Sequence, residues 1–218
     1  MGQFHYRERR VRHLGLVRPW MKTGLISARP ERDHAAGSRF RPRFAILSRS
    51  HAIVSASRYK VRITKDYLVF SSGHFITYLG DQCERIHGHN YRTAVEVEDD
   101  LDDNYYVFDF IALKDLTRAI TDELDHRMLL PTQNKLIRLE EEGANWKVTY
   151  GDRYWSFPRN ECVLLPIANT TAELLANYIA DRLFDAFQAK GLKRPRVLRV
   201  EVEESFGQAA QVERCPES

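Results

Sequence analysis

The feature that most constrains this chain is a break in its charge near residue 58. In residues 1–58, 12 Arg and one Lys face only Glu8, Glu31 and Asp33, a net charge of +10, whereas the remainder carries 20 basic and 27 acidic groups. The basic stretch mixes Arg with Ser, Pro and His and has no sustained apolar period. It therefore lacks the apolar surface needed to offset the entropy of ordering. It reads as a disordered, non-essential arm, with a targeting tail or an RNA-touching tail as alternatives. It has no apolar core of the secretory-signal type, although Arg-rich, acid-poor composition is also that of an organellar transit peptide. The expected domain is thus 59–218. With 43% hydrophobic residues the chain has enough for one sizeable core. No apolar run approaches the ~18 residues of a membrane span. Cys83, Cys162 and Cys215 form no C-x-x-C pair, which argues against a disulfide scaffold and for a reducing compartment, with the cytoplasm as the expected location.

From Tyr59 the pattern becomes ordered. Tyr59, Val61 and Ile63 alternate with Lys60, Arg62 and Thr64, and Tyr91, Thr93, Val95 and Val97 alternate in the same way, so both segments read as half-buried strands. Thr77–Arg85 is expected to be a loop around Gly80 and Asp81. Asp109 offers an N-cap to a helix whose apolar residues Phe110, Leu113, Leu116, Ile120 and Leu124 fall on one stripe. A second helix follows Asn169-Thr170-Thr171, burying Leu174, Leu175, Tyr178, Ile179, Leu183, Phe184 and Phe187, with Gly191 just past its end. Trp146–Tyr150, a Gly151-Asp152 turn and Arg153–Phe157 read as a β-hairpin, inserted at about 132–165. Arg196–Ser205 is expected as the last strand. Hairpin-type connections in this order predict an α+β fold, an antiparallel sheet with two helices on one face.

Several residues in this frame can do chemistry. His87 and His89 sit two apart at the start of a strand and so point to one side, and Gly88 between them lets another group approach closely. His74 follows the first strand, and antiparallel pairing can bring it opposite the pair. Three neutral imidazoles with one open position form the ligand set of a catalytic zinc, although an H-x-H pair also serves as a surface or capping pair. Cys83 is either a small buried hydrophobe or, beside a cation, a thiolate base or nucleophile. Asp125-His126 at the end of the first helix is either a proton relay or a histidine satisfying the helix dipole. Glu204 shares the face of Leu198, Val200 and Val202. A carboxylate there needs paired donors, such as the two parallel N–H groups of a 2-amino-4-oxo pyrimidine edge, unless the strand end is frayed and exposed.

Together, Phe70-Ser-Ser-Gly-His74, Cys83-Glu-Arg-Ile-His87-Gly-His89-Asn-Tyr91, Leu124-Asp-His126, Asn169-Thr-Thr-Ala-Glu173 and Val202-Glu-Glu204-Ser resemble the 6-pyruvoyltetrahydropterin synthase / 6-carboxytetrahydropterin synthase family. The strings occur in the family's order over about 59–131 and 166–210. Any one of them is weak, but the joint match is highly specific. The resemblance implies the tunnelling fold, in which subunits join sheet edge to sheet edge into a barrel, commonly a homohexamer with active sites between subunits. It implies His74, His87 and His89 as ligands of Zn2+, Cys83 as the catalytic cysteine, and Asp125 and His126 as its acid/base partners. Glu204 matches the pterin-anchoring glutamate, with Thr170 and Thr171 in the segment that holds the ring.

Three residues separate Cys83 from His87, as in the bacterial 6-carboxytetrahydropterin synthases. The implied activity is therefore zinc-dependent conversion of 7,8-dihydroneopterin triphosphate to 6-carboxy-5,6,7,8-tetrahydropterin, toward queuosine and other 7-deazaguanines. The 6-pyruvoyl synthase is an alternative. So is the aldolase that forms 6-hydroxymethyl-7,8-dihydropterin for folate, because relatives with that activity carry Glu where this chain has Glu84, in place of the cysteine. This chain has both residues. The non-enzymatic rival is a pterin- or RNA-binding module using the basic arm. A pterin is the expected partner, with neither nucleic acid nor membrane.

Overall fold

The computed structural model describes residues 58–215, so the expectations for the basic arm lie outside the described residues. The chain runs β1 (Tyr59–His74), β2 (Thr77–Tyr78), β3 (Gln82–Cys83), β4 (His87–Asp99), α1 (Phe110–Leu124) and β5 (Arg127–Pro131). It continues through β6 (Arg138–Glu142), β7 (Asn145–Tyr150), β8 (Arg153–Pro158), β9 (Cys162–Leu165), α2 (Ala172–Ala189), β10 (Val197–Ser205) and β11 (Gln208–Arg214). Six strands form the main sheet in the order β11-β10-β4-β1-β5-β9. The expected α+β frame, a sheet with two helices, is present.

The centre of the sheet is antiparallel, β1 on β4 and β4 on β10. At one edge it is mixed, which hairpin connections did not predict: β5 runs parallel to β1, and β9 parallel to β5. The physical reason is that α1 carries the chain from β4 across to β5, and the 138–158 segment carries it back before β9. That segment is a three-stranded sheet, β6-β7-β8, one strand more than the expected hairpin. At the other edge β10 turns at Gly207 (φ +77°) into β11, so Arg196–Ser205 does not hold the last strand.

β1 is far longer than its alternating start. Up to Thr64 it pairs in one register (Thr64 with Ala94), and from Val69 in another (Val69 with Arg92). Four residues of β1, Lys65–Leu68, therefore lie opposite Thr93 alone. This bulge adds an odd number of residues, and since side chains alternate, the inward face changes from odd to even positions. Val61 and Ile63 are buried before it, and Leu68, Phe70, Ser72 and His74 after it.

Both helices pack on this inward face. Asp109 caps α1 by accepting from the Ile111 and Ala112 amides at 2.7 and 3.2 Å. Leu113, Ile120 and Leu124 are buried as the stripe requires, but Phe110 in the first turn is exposed. Thr171 caps α2, which buries Leu175, Ile179, Leu183 and Phe187, and Gly191 closes it at φ +65°. These side chains meet Phe70, Tyr91, Val95, Val97, Leu198 and Val200 in one core. A second, smaller core joins Phe75, Leu130, Ile137 and Val148 under the aromatic residues of β7 and β8. Among the described residues, no helix is long and apolar enough to cross a membrane.

Candidate metal centre and active site

The end of β1 and the start of β4 lie side by side, His74 facing His87 and Ser72 facing His89 across the ladder. This places His74, His87 and His89 on the inward face at the end of the core, one ligand atom of each within 4.8 Å of the others. The Nε2 atoms of His74 and His87 are 3.2 Å apart. Each ring is held through its other nitrogen: His74 Nδ1 by the Thr170 carbonyl at 3.0 Å and His87 Nδ1 by the Arg85 carbonyl at 2.9 Å. A carbonyl only accepts, so both Nδ1 atoms carry the proton and both Nε2 lone pairs converge on one point. Two bare lone pairs at that distance repel unless a cation lies between them. Ligands at ~2.0–2.1 Å in tetrahedral array sit ~3.3 Å apart, so the pair has the spacing a zinc ion requires. His89 completes the set, its Nδ1 3.4 Å from Ser205 Oγ. Burial pushes the His74 imidazole down to about 4, opposed by the Thr170 carbonyl and reinforced by His87 and His89, so the ring is neutral at pH 7 and ready to ligate. The three histidines could hold a metal ion.

Around this cluster the other expected residues fall in different places. Glu204 Oε1 lies 3.4 Å from His74 Nε2 and 3.6 Å from His89 Nε2, and accepts from the Tyr91 hydroxyl at 3.4 Å. Burial, with the Glu204 charge behind it, raises the Tyr91 phenol, which stays protonated and donating. Glu204 thus has one donor within its own chain, the Tyr91 hydroxyl, and it also lines a cavity of about 360 Å³ with Thr171 and Glu173. Thr171 reaches that cavity as the cap of α2. Thr170 does not: it is wholly buried behind His74, its hydroxyl donating to the Phe75 carbonyl.

Asp125 and His126 are paired, Oδ2 to Nδ1 at 2.8 Å. The other Asp125 oxygen accepts from the Ser71 amide at 2.7 Å, and the His126 amide donates to the Ser71 carbonyl at 2.7 Å. These bonds hold His126 at φ +55°, a conformation uncommon for a residue with a Cβ. Burial works against ionising Asp125, but the Ser71 amide and the His126 ring outweigh it and lower its pKa. The exposed His126 ring shares a cavity of about 570 Å³ with His87 and His89.

Glu84 and Cys83 part company. The Glu84 carboxylate is 3.9 Å from His87 Nε2. The Cys83 side chain packs on the second core, Sγ 3.5 Å from the Glu84 carbonyl, and lines neither cavity. Burial pushes its thiol pKa up, with the Glu84 charge adding and Arg153 opposing. Sequence reasoning missed Tyr91 and Ser71 as the holders of Glu204 and Asp125. Glu173, which lines the cavity with Glu204, stood there only as the end of the Asn169–Glu173 string. Tyr91 lay within the quoted strings, and its place on the histidine face was the available signal.

Comparison with known proteins bears on the family and the fold. Residues 62–215 match the model of the family described as 6-pyruvoyl tetrahydropterin synthase. A protein of Methanocaldococcus jannaschii, provisionally named 6-carboxy-5,6,7,8-tetrahydropterin synthase, is 33% identical over 144 residues, 66% of this chain and 88% of its own. One of Pyrococcus abyssi with the same provisional name is 32% identical over 134 residues, 61% and 78% of the two chains. Among solved structures, the 6-pyruvoyltetrahydropterin synthase of Plasmodium vivax superposes with a TM-score of 0.69 at 30% identity, covering 73% of this chain and 99% of that one. Two of its structures are catalytic-residue mutants in which a glutamate is replaced by alanine or by cysteine.

Proposed function

Since the chain belongs to the 6-pyruvoyl tetrahydropterin synthase family, we propose that it is a zinc-dependent lyase that converts 7,8-dihydroneopterin triphosphate to 6-carboxy-5,6,7,8-tetrahydropterin, releasing acetaldehyde and triphosphate. The archaeal relatives provisionally named for that product support the choice, as does the presence of Cys83. The observation that carries the reading is the convergence of the His74 and His87 lone pairs, with a ligand atom of His89 within 4.8 Å of theirs. Zinc, when bound there, supplies Lewis acidity that makes protons beside the side-chain oxygens of a pterin removable.

This chain's own residues do the rest. Thr170 and Arg85 fix the tautomers of His74 and His87. Asp125 orients His126, which moves a proton at its exposed ring edge, and Cys83 is assigned the proton on the other face. Glu204, with Thr171 on the same cavity, anchors the pterin so that its C6 side chain meets the histidines, and Thr170 acts from behind His74. The working unit is proposed to be residues 59–218, assembled as a homo-oligomer with sites between subunits in the cytoplasm and feeding 7-deazaguanine synthesis.

One observation favours a second reading, an aldolase giving 6-hydroxymethyl-7,8-dihydropterin. Glu84, not Cys83, faces the histidine cluster, and the Plasmodium vivax enzyme has a catalytic glutamate. Incubating the purified protein with 7,8-dihydroneopterin and with its triphosphate, with products identified by mass, separates the two. The lyase reading expects the carboxy product from the triphosphate and its loss in Cys83→Ala. A hydroxymethyl product that disappears in Glu84→Ala assigns the aldolase instead. Absence of any pterin product from metal-loaded protein refutes both.

A further inference from the structure

The inserted sheet reaches back to the segment that carries the candidate acid–base residues. Arg153, at the start of β8, donates from Nη1 to the Cys83 carbonyl at 2.9 Å and from Nη2 to the Glu84 carbonyl at 2.7 Å. One guanidinium therefore holds two consecutive peptide carbonyls. The next carbonyl along, that of Arg85, holds His87 Nδ1 at 2.9 Å. Three successive carbonyls are thus tied, two to the inserted sheet and one to a candidate metal ligand, and the 83–87 segment becomes a bracket between them. The guanidinium itself is fixed. Its carbon lies 4.8 Å from the centre of the Trp155 ring, and Trp155 packs on Phe75 with ring centroids 4.7 Å apart. Phe75 directly follows His74. The Tyr150 hydroxyl adds a bond to the Asp81 carbonyl at the tip of the β2–β3 turn.

We propose that Arg153 is a positioning residue, and that the inserted β6-β7-β8 sheet serves to lock the Cys83–Glu84 segment at a fixed distance from the three histidines. The inference rests on the functional reading above only in naming what the segment does. Guanidinium is suited to this because its planar fork presents parallel N–H groups without further loss of rotamer freedom. A lysine at 153 keeps the charge but binds one carbonyl as a point donor, so charge and clamp are separable by substitution. If the arginine served only to solubilise the insertion, its two donors would point to water and not to the peptide groups of the one dipeptide that bears both candidate bases.

The experiment uses the full chain loaded with zinc and compares Arg153→Lys, Arg153→Met and Tyr150→Phe with the parent. Two readouts are taken: the rate at which iodoacetamide alkylates Cys83, resolved by site through mass spectrometry, and kcat and KM on 7,8-dihydroneopterin triphosphate. Freeing the segment is expected to raise alkylation of Cys83 by about threefold or more in Arg153→Lys, which keeps the charge, and by less in Arg153→Met, which also removes a cation that favours the thiolate, since reactivity follows access as well as thiolate character. It is also expected to lower kcat by about tenfold or more while KM and zinc content stay near the parent values, the signature of misplaced reacting groups. Tyr150→Phe, which removes one hydroxyl and little packing, is expected to move both readouts in the same direction by less. Alkylation and kcat in Arg153→Lys equal to the parent overturn the clamp. So does a fall in zinc content with unchanged alkylation, which makes the residue a support of the metal cluster alone. If the parent has no turnover on this substrate, the functional reading fails, yet the alkylation comparison still decides the clamp.

Discussion

Adding one methyl group at Gly88 tests whether strand spacing sets the metal site. A Cβ built there meets the Ser72 carbonyl oxygen at 3.0 Å and the Ser72 carbonyl carbon at 3.6 Å. Both belong to the backbone of β1, which cannot swing away as a side chain can. Carbon–oxygen contacts between neighbouring strands settle at ~3.3–3.6 Å, so β1 and β4 must part by about 0.4 Å. They must do so one residue from the facing pair of His74 and His87. Overpacking of this kind costs about 1–3 kcal/mol. For a domain of this size each kcal/mol lowers Tm by about 2–4 °C, so a fall of about 2–12 °C is expected.

The effect on metal is expected to be larger. The Nε2 separation of 3.2 Å leaves no slack against the ~3.3 Å of tetrahedral ligands, and displacing a supporting group costs about 10–100-fold in affinity. Its partner in the ladder supplies the control. A Cβ on Gly73 also finds a neighbour at 3.0 Å, but that neighbour is the terminal methyl of Met128, a side chain that can turn aside. Gly73→Ala should therefore change Tm and zinc affinity little. Competition with a chromophoric chelator and differential scanning calorimetry read both quantities. Equal zinc affinity in Gly88→Ala and Gly73→Ala would refute the argument that the approach of β1 to β4 shapes the site.

Three further outcomes are expected. His89→Ala should lose bound zinc and turnover together, as measured by metal analysis and product mass, and retention of either alone would break the assignment. Leu183→Ala, in the wholly buried stripe of α2, should cost about 2–5 kcal/mol in urea unfolding, and a loss below ~1 kcal/mol would show that the helix face is not packed as described. Asp125 titrates below its ordinary value, so in the folded state it contributes stability that is present above about pH 4 and lost as pH falls through its lowered pKa. The stability difference between the parent and Asp125→Asn should accordingly be largest near neutral pH and shrink in acid, and a difference that grows on acidification would reverse the sign of the interaction.

Much of this was legible in the sequence because it depends on period alone. Tyr91, Thr93, Val95 and Val97 are all buried, as their alternation requires, and both helices start at the caps Asp109 and Thr171. Where the reading failed, the deciding force was tertiary. Phe110 fits the stripe of α1 by spacing, but it lies in the first turn, beyond the area the sheet covers, and stays in water. Parallel pairing of β5 and β9 depends on where α1 and the inserted sheet deliver the chain, which no local pattern records. Arg153 was one basic residue in a hairpin, and only the return of that hairpin to Cys83 and Glu84 gives it a task.

The histidine cluster itself combines both cases. That His87 and His89 share a face follows from their spacing, and the sequence says so. That His74 joins them does not. If the alternation that buries Val61 and Ile63 ran on unbroken, position 74 would fall on the other face with Lys60 and Arg62, where Glu96, Glu98, Glu201 and Arg199 pair in ion bridges. The bulge at Lys65–Leu68 reverses the phase and brings His74 round to the face of His87. Its residues, a Lys, an Asp, a Tyr and a Leu, carry no glycine or proline to announce it. What selects the bulge is the gain from placing Leu68 and Phe70 in the core with Tyr91, since either phase alone would strand one half of β1 in water. The metal-binding geometry is thus a consequence of hydrophobic phase on both sides of the bulge.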